Sequence, residues 1–191
     1  TETDHVGVIG VVDIPFLHRY TDGFRAGARY VDPEIEVSVR WVGGENPFSD
    51  PVRAKEQALA LAASGADYIL AAAAAGNFGV FEAAAQQGFR AFGLDVDQCG
   101  EAPGFIVDSL IKRVDLVIQE AVDAVLSGSE ERLLVFGLAS RGLELVALSE
   151  RPEAHPDCLI LRHPEIIERV RELGHKVVAG EIGIADPMGL L

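Results

Sequence analysis

The chain is short of positive charge. Its 191 residues carry 16 Lys plus Arg against 30 Asp plus Glu, a formal net charge of −14. So negative a surface repels phosphate backbones and anionic headgroups, which argues against a nucleic-acid binder or a peripheral membrane protein. Long apolar runs are lacking as well. The longest, Tyr68 to Ala75, is eight residues and mostly alanine, far below the roughly 20 that span a bilayer. Thr1-Glu2-Thr3-Asp4 is polar and acidic, with neither an initiator Met nor a secretory signal pattern. The expectation is a mature form or a fragment of a longer chain.

Cysteine is nearly absent. Cys99 and Cys158 are 59 positions apart and match no metal-binding spacing. A core of this size needs no staple, so free thiols are expected rather than a disulfide. The chain also lacks a Walker pattern, a complete G-x-G-x-x-G and a nucleophile elbow. His5, His18, His155, His163 and His175 are scattered over surface-like positions. No catalytic constellation results, and no enzyme activity, cofactor or metal is expected.

What the chain has is apolar substance, 49% hydrophobic residues, in strand-like and helix-like periods that alternate. That alternation is the signature of an α/β fold with a parallel sheet flanked by helices. Val6 to Val12 reads as a strand buried on both faces. Asp13 caps a helix carrying Phe16, Tyr20 and Phe24, in which Gly23 and Gly27 are expected to lie close to the sheet. Ile35, Val37, Val39 and Trp41 alternate with polar residues, as on an edge strand. Asp50-Pro51 reads as a cap and first-turn proline. Asp67 to Ala74 is a third strand, followed by a helix that Asn77 caps and Gly88 ends. Phe89 to Leu94 is a fourth strand, Phe105 to Val107 a short fifth, and Leu133 to Leu138 a further one. Between the last two, an amphipathic helix carries Leu110, Val114, Val117, Ile118, Ala121 and Val125. Near residue 140 the period changes. Leu143 to Leu148 could form a strand, residues 151–157 hold two prolines, and a final helix begins near Pro164.

Open parallel sheets bind ligands beyond the carboxyl ends of their strands, which selects Asp13, Glu45 and Asn46, Gly76-Asn77-Phe78, Asp95, Asp97-Gln98 and the segment from Asp108 to Lys112. Asp95 and Asp97 can accept sugar hydroxyls, hold a metal, or cap turn amides. Lys112 is expected in the first turn of a helix capped by Asp108 or Ser109, where a cation is disfavoured by roughly 0.3 to 1 kcal/mol. Asp95 or Asp97 would offset that cost, unless the lysine is simply solvated. The small residues from Ala71 to Gly79 allow a backbone to approach a ligand or another helix closely.

Several of these segments occur together. They are Val8-Ile9-Gly10 leading into Asp13-Ile14-Pro15-Phe16, Gly23-Phe24-Arg25-Ala26-Gly27, Gly93-Leu94-Asp95-Val96-Asp97-Gln98, Ser109 through Asp115, and Phe136-Gly137-Leu138. In that order they resemble the basic membrane protein (BMP) family, substrate-binding lipoproteins of ABC transporters of the purine nucleoside receptor type. The tail from Lys176 to Ile182 resembles the family's closing helix, and comK-activator-like regulators share the fold.

The resemblance implies a type I periplasmic-binding-protein-like lobe that clamps a nucleoside or sugar-like ligand without chemistry. By it, Asp95 or Asp97 takes ribose hydroxyls and Lys112 faces the ligand beside them. Ala74, Ala75, Gly76 and Asn77 lie on a segment of backbone contacts, and Asp13 sits near the cleft. The chain departs from the family at Ala74-Ala75, where a glycine pair is usual, at Leu70, where nucleoside binders tend to have an aromatic, and at Glu144, which replaces a glycine.

The implied organisation is a lobe over 1–140 and a return segment over 141–191 that would pack on a first lobe not in this sequence. Residues after 140 should then pack on the remaining lobe, join a second copy, or be poorly ordered. Implied partners are the small ligand and an ABC permease, with a homo-oligomer through the tail also open. The implied location is extracytoplasmic, as an anchored lipoprotein. The alternative is a sensor or regulatory module of the same fold with a changed ligand.

Overall fold

The computed structural model describes residues 1–130, 133–149, 157–185 and 189. Its centre is one six-stranded sheet in the order β2-β1-β3-β4-β5-β6. β1 (His5–Gly10) pairs in parallel with β2 (Glu36–Trp41) and β3 (Tyr68–Ala72), β3 with β4 (Arg90–Asp95), and β4 with β5 (Ile106–Lys112). The short β6 (Leu143–Leu145) closes the order antiparallel to β5.

β1 is buried along its whole length, as its unbroken apolar run requires. The alternating β2 lies at an edge. The helices are α1 (Pro15–Val31), α2 (Pro51–Ala63), α3 (Asn77–Gln87), α4 (Val114–Leu126) and α5 (Pro164–Val178). Asp50 Oδ1 accepts from Arg53 N at 2.9 Å with Pro51 in the first turn, and Gly88 ends α3 at φ 87°. α2 and α3 pack so closely that a Cβ on Gly79 would lie 1.9 Å from Pro51 O. The small-residue run after β3 therefore serves helix packing. The core joins Ile9, Ile69 and Ile106 of the sheet to Leu61, Val80 and Phe81 of these helices.

Several expectations are corrected. Cys99 and Cys158 form a disulfide, which ties the loop after β4 to residues 157–163. Asp13 does not cap α1: the cap position is Ile14. Gly23 and Gly27 face open space, with nothing within 4 Å of a Cβ built on either. His5 is buried against Ser64 and Ser38 rather than exposed, while His155 lies outside the described residues. The fifth strand runs on to Lys112, so Asp108 and Ser109 are buried strand residues and α4 starts uncapped after Arg113. Their polarity mimicked a helix start, but Ala147 N and Val96 O are their partners across the sheet. Residues 133–138 form no strand. Past residue 140, the described residues pack on this sheet through β6, Val146, Cys158 and Ile160.

Candidate functional site

The site begins where β4 and β5 end. Asp95 is the last residue of β4 and Lys112 the last of β5, and their register places Asp95 opposite Ile111. Neighbouring strand ends thus carry opposite charges, and Lys112 Nζ lies 2.5 Å from Asp95 Oδ1. Both side chains keep about a third of their surface open, 33% and 39%. Tyr20 of α1 completes the group, with Lys112 Nζ 5.1 Å from its ring centroid. Burial works against the ammonium charge, but the bonds to Asp95 and Tyr20 outweigh it and hold the Lys112 pKa above its ordinary value. The lysine therefore stays charged and the carboxylate stays aimed.

Asp95 has φ 79°, in the left-handed region that non-glycine residues rarely occupy. Such backbone is found at binding and catalytic sites when surrounding structure holds it. Asp97 behaves differently: its Oδ1 turns back to accept from Cys99 N at 3.0 Å, as turn residues do. Two aspartates that look equivalent in sequence are thereby separated.

The remaining candidates lie on the turns after β1 and β3. Ala75 is exposed on the turn after β3. Gly76 is buried, with a built Cβ 3.0 Å from Ala54 Cβ. Asn77 is 1% exposed; its Oδ1 accepts from Ala73 N at 2.8 Å and its Nδ2 donates to Gln98 Oε1 at 3.0 Å. Asp13 lies before α1, apart from Asp95 and Lys112 in the fold, its Oδ1 2.7 Å from His18 Nε2. His18 in turn stacks 5.6 Å from Trp41.

Lys112 also borders an open cleft of about 650 Å³ between α1 and the sheet. Phe16, Tyr20, Phe24, Leu70, Phe92 and Leu110 are among the residues of its apolar wall. Asp108 lies at its floor, 2% exposed. Burial, partly offset by the amides of Ser109 and Ala147, raises the Asp108 pKa to about 6. Asp97, Cys99 and Cys158 bring three potential metal ligands within 4.8 Å. The two sulfurs are joined to each other, so this group supplies no thiolate for a metal.

Sequence reasoning does not single out Tyr20 as a site residue; it reaches Gln98 and Asp108 only as polar residues after strand ends, and reads Asp108 as a helix cap as well. Tyr20 is visible in sequence as one of three aromatics at four-residue spacing. Gln98 closes the Asp95-Val96-Asp97-Gln98 motif, but its buried bonds to Asn77 and Leu94 are visible only in the structure.

A family model described as "ABC transporter substrate-binding protein PnrA-like", the Bmp family, matches residues 1–179. A provisionally named ABC transporter glucose-binding protein, TsgA13 of Haloferax volcanii, is 39% identical over 69 residues. The ABC transporter nucleoside-binding protein BmpA of Lactococcus lactis is 33% identical, also over 69 residues. These stretches are 36% of this chain and only 17% and 19% of the two relatives. A solute-binding protein of an ABC transporter system from Aeropyrum pernix K1 superposes with a TM-score of 0.77 at 25% identity. That superposition covers 97% of this chain and 58% of the other, so this chain spans well under two thirds of its relatives' lengths.

Proposed function

This chain belongs to the Bmp family of PnrA-like ABC transporter substrate-binding proteins, and on that premise we propose that it binds a nucleoside without chemically altering it. One observation carries the reading. Asp95 and Lys112, at neighbouring carboxyl ends of the sheet, are paired and about a third exposed, with Asp95 held by a strained backbone. Ligands of open α/β sheets bind at that place. A carboxylate accepts two vicinal ribose hydroxyls, and an ammonium beside it donates to ring or ether oxygens. The nucleoside-binding relative supports the same chemistry.

The larger setting belongs to the proposal. The bound nucleoside would be handed to an ABC permease outside the cytoplasm, from a lipid-anchored form of the protein. The Cys99–Cys158 disulfide supports an oxidising compartment. Among the described residues, no helix is long and apolar enough to cross a membrane. We read residues 1–140 as one ligand-binding lobe and 141–191 as the segment that returns toward a second lobe, or joins a second copy.

Titration calorimetry with guanosine, inosine and adenosine tests the ligand. At least one should give saturable heat, and Asp95→Asn should weaken it by about tenfold, the worth of one charge-assisted hydrogen bond. No heat from any of the three would overturn the nucleoside. A sugar is the second reading, favoured by the glucose-binding relative, and glucose in the same cell decides between them.

A further inference from the structure

We propose that Asn77 and Gln98 are positioning residues that join the turn after β3 to the loop after β4 and thereby set the pose of Asp95. The proposal rests on the reading that Asp95 meets the ligand. It assigns Asn77 a role in holding the site rather than in touching what binds there.

The ladder between β3 and β4 ends early, at Leu70 and Phe92. Past that point the two strands no longer bond to each other, and their amides need other partners. Side chains supply them. Asn77 Oδ1 accepts from Ala73 N at 2.8 Å, Asn77 Nδ2 donates to Gln98 Oε1 at 3.0 Å, and the same Oε1 accepts from Leu94 N at 2.9 Å. One continuous chain of hydrogen bonds therefore runs from the end of β3 to the end of β4. It is closed to solvent, with Asn77 1% and Gln98 7% exposed. A buried chain of this kind polarises along its length and tolerates little distortion.

A second observation lies one residue beyond each tethered amide. Ala74, next after Ala73, has φ 53°, and Asp95, next after Leu94, has φ 79°. Both are non-glycine residues in the left-handed region, which persists only where neighbouring structure imposes it. On the far side of Asp95, Ser109 Oγ donates to Val96 O at 2.6 Å. Asp95 is thus gripped on both flanks, by Gln98 before it and Ser109 after it. Gly93 makes room for both grips: a Cβ there would lie 2.4 Å from Ser109 Oγ and 2.9 Å from Gln98 Cβ.

The test reads single amides by hydrogen exchange and adds calorimetry with guanosine, inosine and adenosine. Gln98→Met keeps the shape and removes the acceptor; Gln98→Glu keeps acceptor oxygens in place. Exchange at Leu94 should quicken about tenfold or more in Gln98→Met, the cost of one lost hydrogen bond, and much less in Gln98→Glu. Affinity for any nucleoside the wild type binds should fall in the same order. Asn77→Ala, which also serves if Gln98→Met does not fold, should quicken exchange at Ala73 and, through the joint, at Leu94. A folded Gln98→Met with unchanged Leu94 exchange overturns the proposal, as does an Asn77→Ala effect confined to Ala73. The exchange measurements need no ligand, so a wild type silent toward nucleosides overturns the proposed ligand while exchange alone decides the joint.

Discussion

Ala74 adopts a left-handed conformation at φ 53°, which costs an L-residue about 1 to 2 kcal/mol. It stands at one of the positions where the resemblance led to an expected glycine. Ala74→Gly should therefore raise stability by about 0.5 kcal/mol, after subtracting the larger entropy glycine loses on folding. Ala75→Gly, with no positive φ to relieve, should lower it by a similar amount, and urea unfolding of the two variants measures the contrast. Asp108 offers a pH test. Its folded pKa near 6 lies above the ordinary carboxyl value of 3.8, so its ionisation opposes folding. That penalty is complete above about pH 6 and disappears as the pH falls toward 4. From pH 7.5 to pH 5, the stability of the native chain should gain about 1 kcal/mol relative to Asp108→Asn. A constant difference between the two would show that Asp108 is not desolvated. A carboxylate partner for Lys112 was one of the readings open at this scale, though for the wrong reason. The lysine was expected to need a carboxylate because of a helix end, whereas it lies on a strand beside one.

At the scale of elements, the disulfide links the β4–β5 loop to the segment before α5, across 59 positions of sequence. Closing a loop of that length restricts the unfolded chain by about 4 kcal/mol. Cys158→Ser should lose stability of that order, and a dithiol reductant should bring the native chain down to the variant's guanidinium midpoint. Trp41, the single tryptophan, packs beside His18 and over Gly10, so its fluorescence can follow both transitions. The two cysteines alone could not reveal the bond. Only the return of residues 157–163 to the sheet brings them together. α2 and α5 were readable from their first-turn prolines and Asp50, and the end of α3 from Gly88, which act within a few residues. The expected cap of α3, Asn77, is instead its first residue and turns its side chain to Ala73 and Gln98. β5 was readable only at its start, because Asp108 and Ser109 find their partners 39 residues ahead and 13 behind.

Across the whole molecule, α4 keeps its apolar stripe in the open. Val114, Ile118, Val122, Val125 and Leu126 are each more than half exposed, and no α4 residue is buried. A contiguous apolar face of this kind marks an interaction surface. It fits the proposal that a second lobe or a second copy covers it. In this chain alone, Ile118→Glu with Val125→Glu should cut apolar dye binding and concentration-dependent association several-fold. The melting temperature should be retained, since neither residue gives up a buried contact; light scattering and a thermal melt check both parts. Sequence by itself determined the α/β class and the edge position of β2. Periodicity and capping are local, so both follow from residues close together in the chain. Tertiary structure decided that Asp95 rather than Asp97 pairs with Lys112, that Cys99 meets Cys158, and that Asn77 turns inward to Gln98. Each of these is a contact between segments distant in the chain. The β4–β5 register sets the first, the return of residues 157–163 to the sheet the second, and the early end of the β3–β4 ladder the third; no local pattern encodes any of them.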